Sequence, residues 1–131
     1  MLAVVAVLIG GALGTAARAG LDLWIHHSDH QFPLDTLLIN VVGSIVLGFL
    51  VARVWPVAPN WVRAGVGPGL LGGFTTFSAV MASMVTLAAG GQVVLALLYI
   101  VATLVLGLGG AALGLILGRR RDAAPIVEAD E

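Results

Sequence analysis

Hydrophobic residues run through this chain in four long blocks, separated by short polar or glycine-rich stretches. The first block extends from about Met1 to Leu23 and the second from about Leu34 to Trp55. The third covers about Trp61 to Leu87, and the fourth about Val93 to Gly118. A helix rises about 1.5 Å per residue and the hydrocarbon core is about 30 Å thick, so about 20 apolar residues cross it. The pattern therefore predicts an all-α membrane protein with four transmembrane helices. Residues 1–118 make one transmembrane domain, and the polar tail 119–131 is expected to be disordered.

Composition strengthens this reading. Hydrophobic residues make up 60% of the chain and charged residues only 10%, far from the balance of a water-soluble domain. The first span has no basic region ahead of it and is longer than a signal-peptide core, so it is expected to be retained. The chain is placed in the cell inner (plasma) membrane as a multi-pass protein. Trp24, Trp55 and Trp61 fall at span ends, where indoles suit the membrane interface. Cysteine is absent, which excludes disulfides, thiolate metal sites and cysteine nucleophiles.

All six basic residues are arginines. With four spans, both termini and the Pro-rich connection "RVWPVAPNWVR" share one side of the membrane. That side carries Arg53, Arg63, Arg119, Arg120 and Arg121, and the other carries Arg18. The positive-inside rule places the arginine-rich side in the cytoplasm. Small residues recur every fourth position at Gly10 and Gly14, at Ser44 and Gly48, and at Gly110, Gly114 and Gly118. Such spacing serves close helix packing, within one chain or between chains. Four short helices enclose little volume, so an oligomer is the expected way to build a pathway.

Polar groups inside the spans carry the chemistry. Asn40 sits in "LLINVVGSIVLGF", where its amide must face protein or water and can serve as an interhelical hydrogen bond. Arg18 is expected to snorkel to the interface. In the third span, "GVGPGLLGGFTTFS" sets Pro68 and five glycines before two threonines. Glycine and proline loosen the helical ladder and predict a break at Gly72–Thr76. Irregular backbone at membrane depth survives when buried in protein or lining a water-filled cavity, and a plain kink is the alternative. No carboxylate lies deep in a span, Asp22 and Asp35 being at span ends, which weighs against proton-coupled export. His26, His27 and His30 form H-H-x-x-H in a loop without a carboxylate framework and are expected to be solvated. No serine–histidine pairing or phosphate-cradling loop is apparent, so neither an enzyme nor a nucleic-acid partner is expected.

"GGALGTAAR" at Gly10–Arg18, "INVVGSIVLGF" at Ile39–Phe49 and "GGFTTFS" at Gly72–Ser78 occur in order. On these stretches the chain resembles the Fluc (CrcB) fluoride channels over nearly its whole length. The resemblance implies an antiparallel, dual-topology-type dimer with two fluoride pores. It also implies a structural, non-transported Na+ held by the backbone carbonyls of Gly72 and Thr75. Asn40, Thr76, Phe77, Ser78, Tyr99 and Thr103 then belong to the fluoride pathway, with Arg18 and Gly73 in structural roles. The implied function is passive fluoride export that lowers cytoplasmic fluoride toxicity.

Two positions depart from the family pattern: a second phenylalanine is Val80 here, and a second fourth-span hydroxyl is Gly107. They leave open a homodimer or a heterodimer with an oppositely oriented homologue. A non-conducting scaffold is a third reading.

Overall fold

The computed structural model describes residues 1–24 and 32–119. In chain order these form α1 (Leu2–Trp24), α2 (Leu34–Arg53), α3 (Asn60–Ala64), a π-helical run (Gly65–Leu71), α4 (Gly72–Phe74), α5 (Phe77–Ala89) and α6 (Val93–Gly118). Elements α3 through α5 make one composite span, Asn60–Ala89, so four helical stretches are long and apolar enough to cross a membrane. No strand occurs among the described residues. The histidine loop and most of the tail lie outside them.

Two close helix pairings organise the bundle: α2 lies along α6, and α1 lies along the first half of the third span. Both depend on missing side chains. A methyl group on Gly14 would overlap the Leu70 carbonyl, and one on Gly114 would overlap the Ile45 carbonyl. Gly10 and Gly48 are closed in the same way by Gly65 and Ala111. With no hydrophobic drive between helices in lipid, this backbone-to-backbone approach supplies the van der Waals contact that holds them. The four-residue spacing of small residues therefore serves packing within one chain at these positions. Where α2, α5 and α6 meet, Leu37, Val80, Leu87, Ala96 and Tyr99 form a small buried cluster.

The third span differs from the simplest reading of its glycines. Gly65, Gly67, Gly69, Gly72 and Gly73 all stay in the helical trace, and Gly91, in the turn before α6, is the one glycine with positive φ among the described residues. At Gly69 and Gly73 small size matters more than backbone freedom. A Cβ on Gly69 would lie 3.1 Å from the Val7 carbonyl oxygen, and one on Gly73 would lie 2.7 Å from that of Gly11. Pro68 sits inside the π-helical run. Its ring would press on the carbonyl four residues back in an α-turn, and the wider turn relieves that contact. The break falls within the expected Gly72–Thr76 stretch and is confined to Thr75 and Thr76, whose backbones are extended (φ −85°, ψ 145° and φ −148°, ψ 125°).

Candidate functional site

Two extended residues in the middle of a membrane span create a local shortage of hydrogen-bond partners, and the surrounding side chains answer it. Thr75 still donates its backbone N–H to the Leu71 carbonyl at 2.8 Å, and its hydroxyl donates to the same oxygen at 2.8 Å. Its methyl group seats on Gly43, where an added Cβ would collide with it. The side chain is thus locked on both branches. Its ψ of 145° turns the Thr75 carbonyl out of the helical ladder.

Thr76 is held by Asn40. The Thr76 N–H donates to Asn40 Oδ1 at 2.9 Å, and Asn40 Nδ2 donates to the Thr76 carbonyl at 3.2 Å. The asparagine amide imitates a neighbouring peptide group and satisfies both polar groups of the broken residue. Because the Thr76 N–H can only donate, the orientation of the Asn40 amide is fixed. One Nδ2 hydrogen is committed to Thr76, so one remains for a ligand, not the two that an unengaged amide would offer. The same pairing takes the Thr76 N–H away from the Gly72 carbonyl, its partner in an unbroken helix.

Thr76 then caps α5, its hydroxyl oxygen accepting the Ala79 N–H at 3.3 Å. One break therefore exposes both ends of the helix dipole at membrane depth. Carbonyls are freed on the Gly72–Thr75 side, suited to a cation, and amides on the Phe77 side, suited to an anion.

Two grooves flank the break. One, of about 340 Å³, is lined by Gly43, Ser44 and Trp55 together with Pro68, Gly72 and Thr75. The other, of about 190 Å³, is lined by Asn40, Ser44 and Thr75–Phe77 with Val80 and Thr103. Asn40, Thr76, Phe77 and Thr103, distant in sequence, are thus brought to one surface. Phe77 is 62% exposed, and the Thr103 hydroxyl is buried without a hydrogen-bond partner among the described residues.

Two of the expected pathway residues lie elsewhere. Ser78 is exposed and does not line this groove. Tyr99 is fully buried, with its ring edge-to-face with Phe32 (centroids 5.4 Å apart, 87° between planes). Arg18 does not snorkel outward. It is buried in the bundle, donating from Nη2 to the Thr36 hydroxyl at 3.3 Å, with Nε 3.5 Å from the Asp22 carboxylate. Polar partners inside the protein cost less than stretching through hydrocarbon, so Arg18 ties α1 to the start of α2.

The family described as "CrcB-like protein, Camphor Resistance (CrcB)" matches residues 5–115. The chain belongs to this family. Among CrcB relatives, the fluoride-specific ion channel FluC 2 of Bacillus subtilis is 46% identical over 116 residues, covering 88% of this chain and 86% of that protein. The fluoride-specific ion channel FluC of Parabacteroides distasonis is 39% identical, covering 91% and 94%. That of Thermus thermophilus is 41% identical, covering 86% and 90%. The CrcB match spans all four membrane helices, so the break and both grooves lie within the shared region.

Proposed function

We propose that this chain is a fluoride-specific channel subunit that lets fluoride leave the cell passively through the plasma membrane, and that it is not an enzyme. The observation that carries this reading is the groove of Asn40, Thr76, Phe77 and Thr103 beside the free end of α5. Fluoride is small and strongly hydrated, so a pathway must replace its water with donors. The free Nδ2 hydrogen of Asn40, the Thr76 and Thr103 hydroxyls and the first amides of α5 are such donors. The ring edge of Phe77 carries the positive part of the aromatic quadrupole and adds a weaker contact.

The carbonyls of Gly72 and Thr75 would hold a structural Na+. Both are hard neutral oxygens, the ligand type that a hard cation prefers. Two carbonyls are too few for such an ion, and an antiparallel second copy would double them. The exposed 340 Å³ groove beside them is where that copy would pack. The cation's charge would then offset the penalty of holding an anion deep in the membrane.

Purified protein reconstituted alone into liposomes is expected to release fluoride, but not chloride, down its gradient, read with ion-selective electrodes. Liposomes that retain their fluoride would defeat the self-paired reading.

The arginine distribution favours a second reading, a heterodimer with an oppositely oriented homologue. Five arginines flank one side of the spans and one the other, and Arg18 is further balanced by Asp22. On this reading most copies insert with both termini in the cytoplasm. Paired C-terminal reporters, one active only inside and one only outside, are expected to give a strongly one-sided signal. Equal signals would mean dual insertion and favour the homodimer.

A further inference from the structure

Ser44 lies about halfway along α2, one helical turn beyond Asn40 on the same face. That depth, about 15 Å into a 20-residue helix, is close to the membrane midplane. A serine there ordinarily returns its hydroxyl to the carbonyl four residues back. Ser44 does not: among the described residues its hydroxyl, half-buried, has no hydrogen-bond partner. It lines both grooves at the break, the one holding Asn40 and Thr103 and the one holding Gly72 and Thr75. Directly across from it, α6 carries Gly107, one turn beyond Thr103. A Cβ built on Gly107 would meet a single atom within 4 Å, the Ser44 Oγ at 3.8 Å. A serine at 107 would therefore project its hydroxyl into the space that Ser44 already faces.

We propose that the Ser44 hydroxyl is a fluoride-pathway donor, forming the rung after Asn40 and Thr103 and standing in for the side chain that Gly107 lacks. The inference rests on the channel reading above and adds the group that bridges the middle of the path. A fluoride ion leaving the Asn40–Thr103 level meets, one turn further on, a rotatable O–H that is not engaged by a protein acceptor among the described residues. Without it, the other residue common to both grooves is Thr75, whose hydroxyl hydrogen is already given to the Leu71 carbonyl.

The test compares fluoride efflux from liposomes for the unaltered protein, Ser44→Ala, Ser44→Thr and the double variant Ser44→Ala/Gly107→Ser. The fraction of dimer is measured for each. The unaltered protein sets the reference, since its failure to conduct would defeat the self-paired channel reading on which the proposal rests. Ser44→Ala is expected to slow efflux roughly tenfold, the size of one lost hydrogen bond to an ion. Ser44→Thr keeps the hydroxyl and is expected to conduct at close to the reference rate. The double variant is expected to recover most of the loss, because its hydroxyl returns from the opposite helix. If Ser44→Ala fails to assemble, the double variant decides. An assembled double variant that conducts supports the proposal, and one that is silent overturns it. Unchanged efflux from Ser44→Ala overturns it too. So does loss of dimer in both alanine-containing variants, which would make the hydroxyl an interface contact.

Discussion

Asn40→Asp is expected to lower fluoride efflux by roughly a hundredfold or more while the protein still folds into its four-span bundle. Losing a hydrogen bond to a charged partner costs about 1.5–3 kcal/mol, and a fixed carboxylate adds repulsion against the anion. The geometry explains why the bundle survives. An aspartate oxygen can still accept the Thr76 N–H, which Asn40 Oδ1 now receives at 2.9 Å. Its second oxygen, however, faces the Thr76 carbonyl, which now accepts from Asn40 Nδ2 at 3.2 Å. That replaces a hydrogen bond with two facing acceptors, and stability should fall by about 1–3 kcal/mol. Efflux, the size-exclusion profile and the unfolding temperature of one preparation measure all three effects. Efflux at the unaltered rate would remove Asn40 from the pathway.

The second large effect concerns the cation. Thr75→Ser keeps the backbone N–H and the hydroxyl that both reach the Leu71 carbonyl, so the Thr75 carbonyl stays aimed outward. It loses only the methyl group that rests on Gly43. Thr75→Pro removes both bonds to Leu71 and drives Phe74 away from helical backbone angles, at a cost of about 3 kcal/mol. Sodium that binds the folded protein and not the unfolded chain stabilises it by RT ln(1 + [Na+]/Kd), so the unfolding temperature rises with sodium concentration. Titration of Na+ against unfolding temperature is therefore expected to show a rise for the unaltered protein and for Thr75→Ser, and none for Thr75→Pro. A sodium-dependent rise that persists in Thr75→Pro would exclude the Thr75 carbonyl as a ligand.

Much of this arrangement is legible in the sequence because the membrane imposes simple rules. Span length, the four-residue spacing of glycines and the "GGFTTFS" interruption each follow from hydrocarbon thickness, close packing and the demand for satisfied backbone. What pattern reading misses is local and cooperative. Gly72 and Gly73 suggest a flexible break, yet both remain helical, with Gly73 closing against Gly11 and Thr15 of α1, and the two threonines carry the interruption instead. Asn40 suggests an interhelical hydrogen bond, but not its partner: half of its hydrogen-bonding capacity is spent on the backbone of Thr76, 36 residues away. Tyr99 and Thr103 are one turn apart on α6, and only Thr103 reaches the groove, because Phe32 and the buried cluster close over the tyrosine ring. Ser44 sits in a small-residue stripe where nothing in the spacing distinguishes it from Gly48. The structure separates them: Gly48 meets the α6 backbone at Ala111, while Ser44 faces open space at Gly107.

The pairing of α1 and α2 with the third span also bears on the order in which the protein can be made. The π-helical run and the broken threonines are the parts least able to exist alone in lipid, since they leave backbone groups short of partners. Both of their supports lie earlier in the chain: α1 packs along the run, and Asn40 on α2 satisfies Thr76. A ribosome feeding the membrane from the N-terminus therefore delivers the scaffold before the irregular segment that needs it. The regular helix α6 arrives last and closes against α2 through Gly110 and Gly114. Circular permutation that moved α1 and α2 behind the third span would keep every contact of the finished bundle and lose this advantage during synthesis.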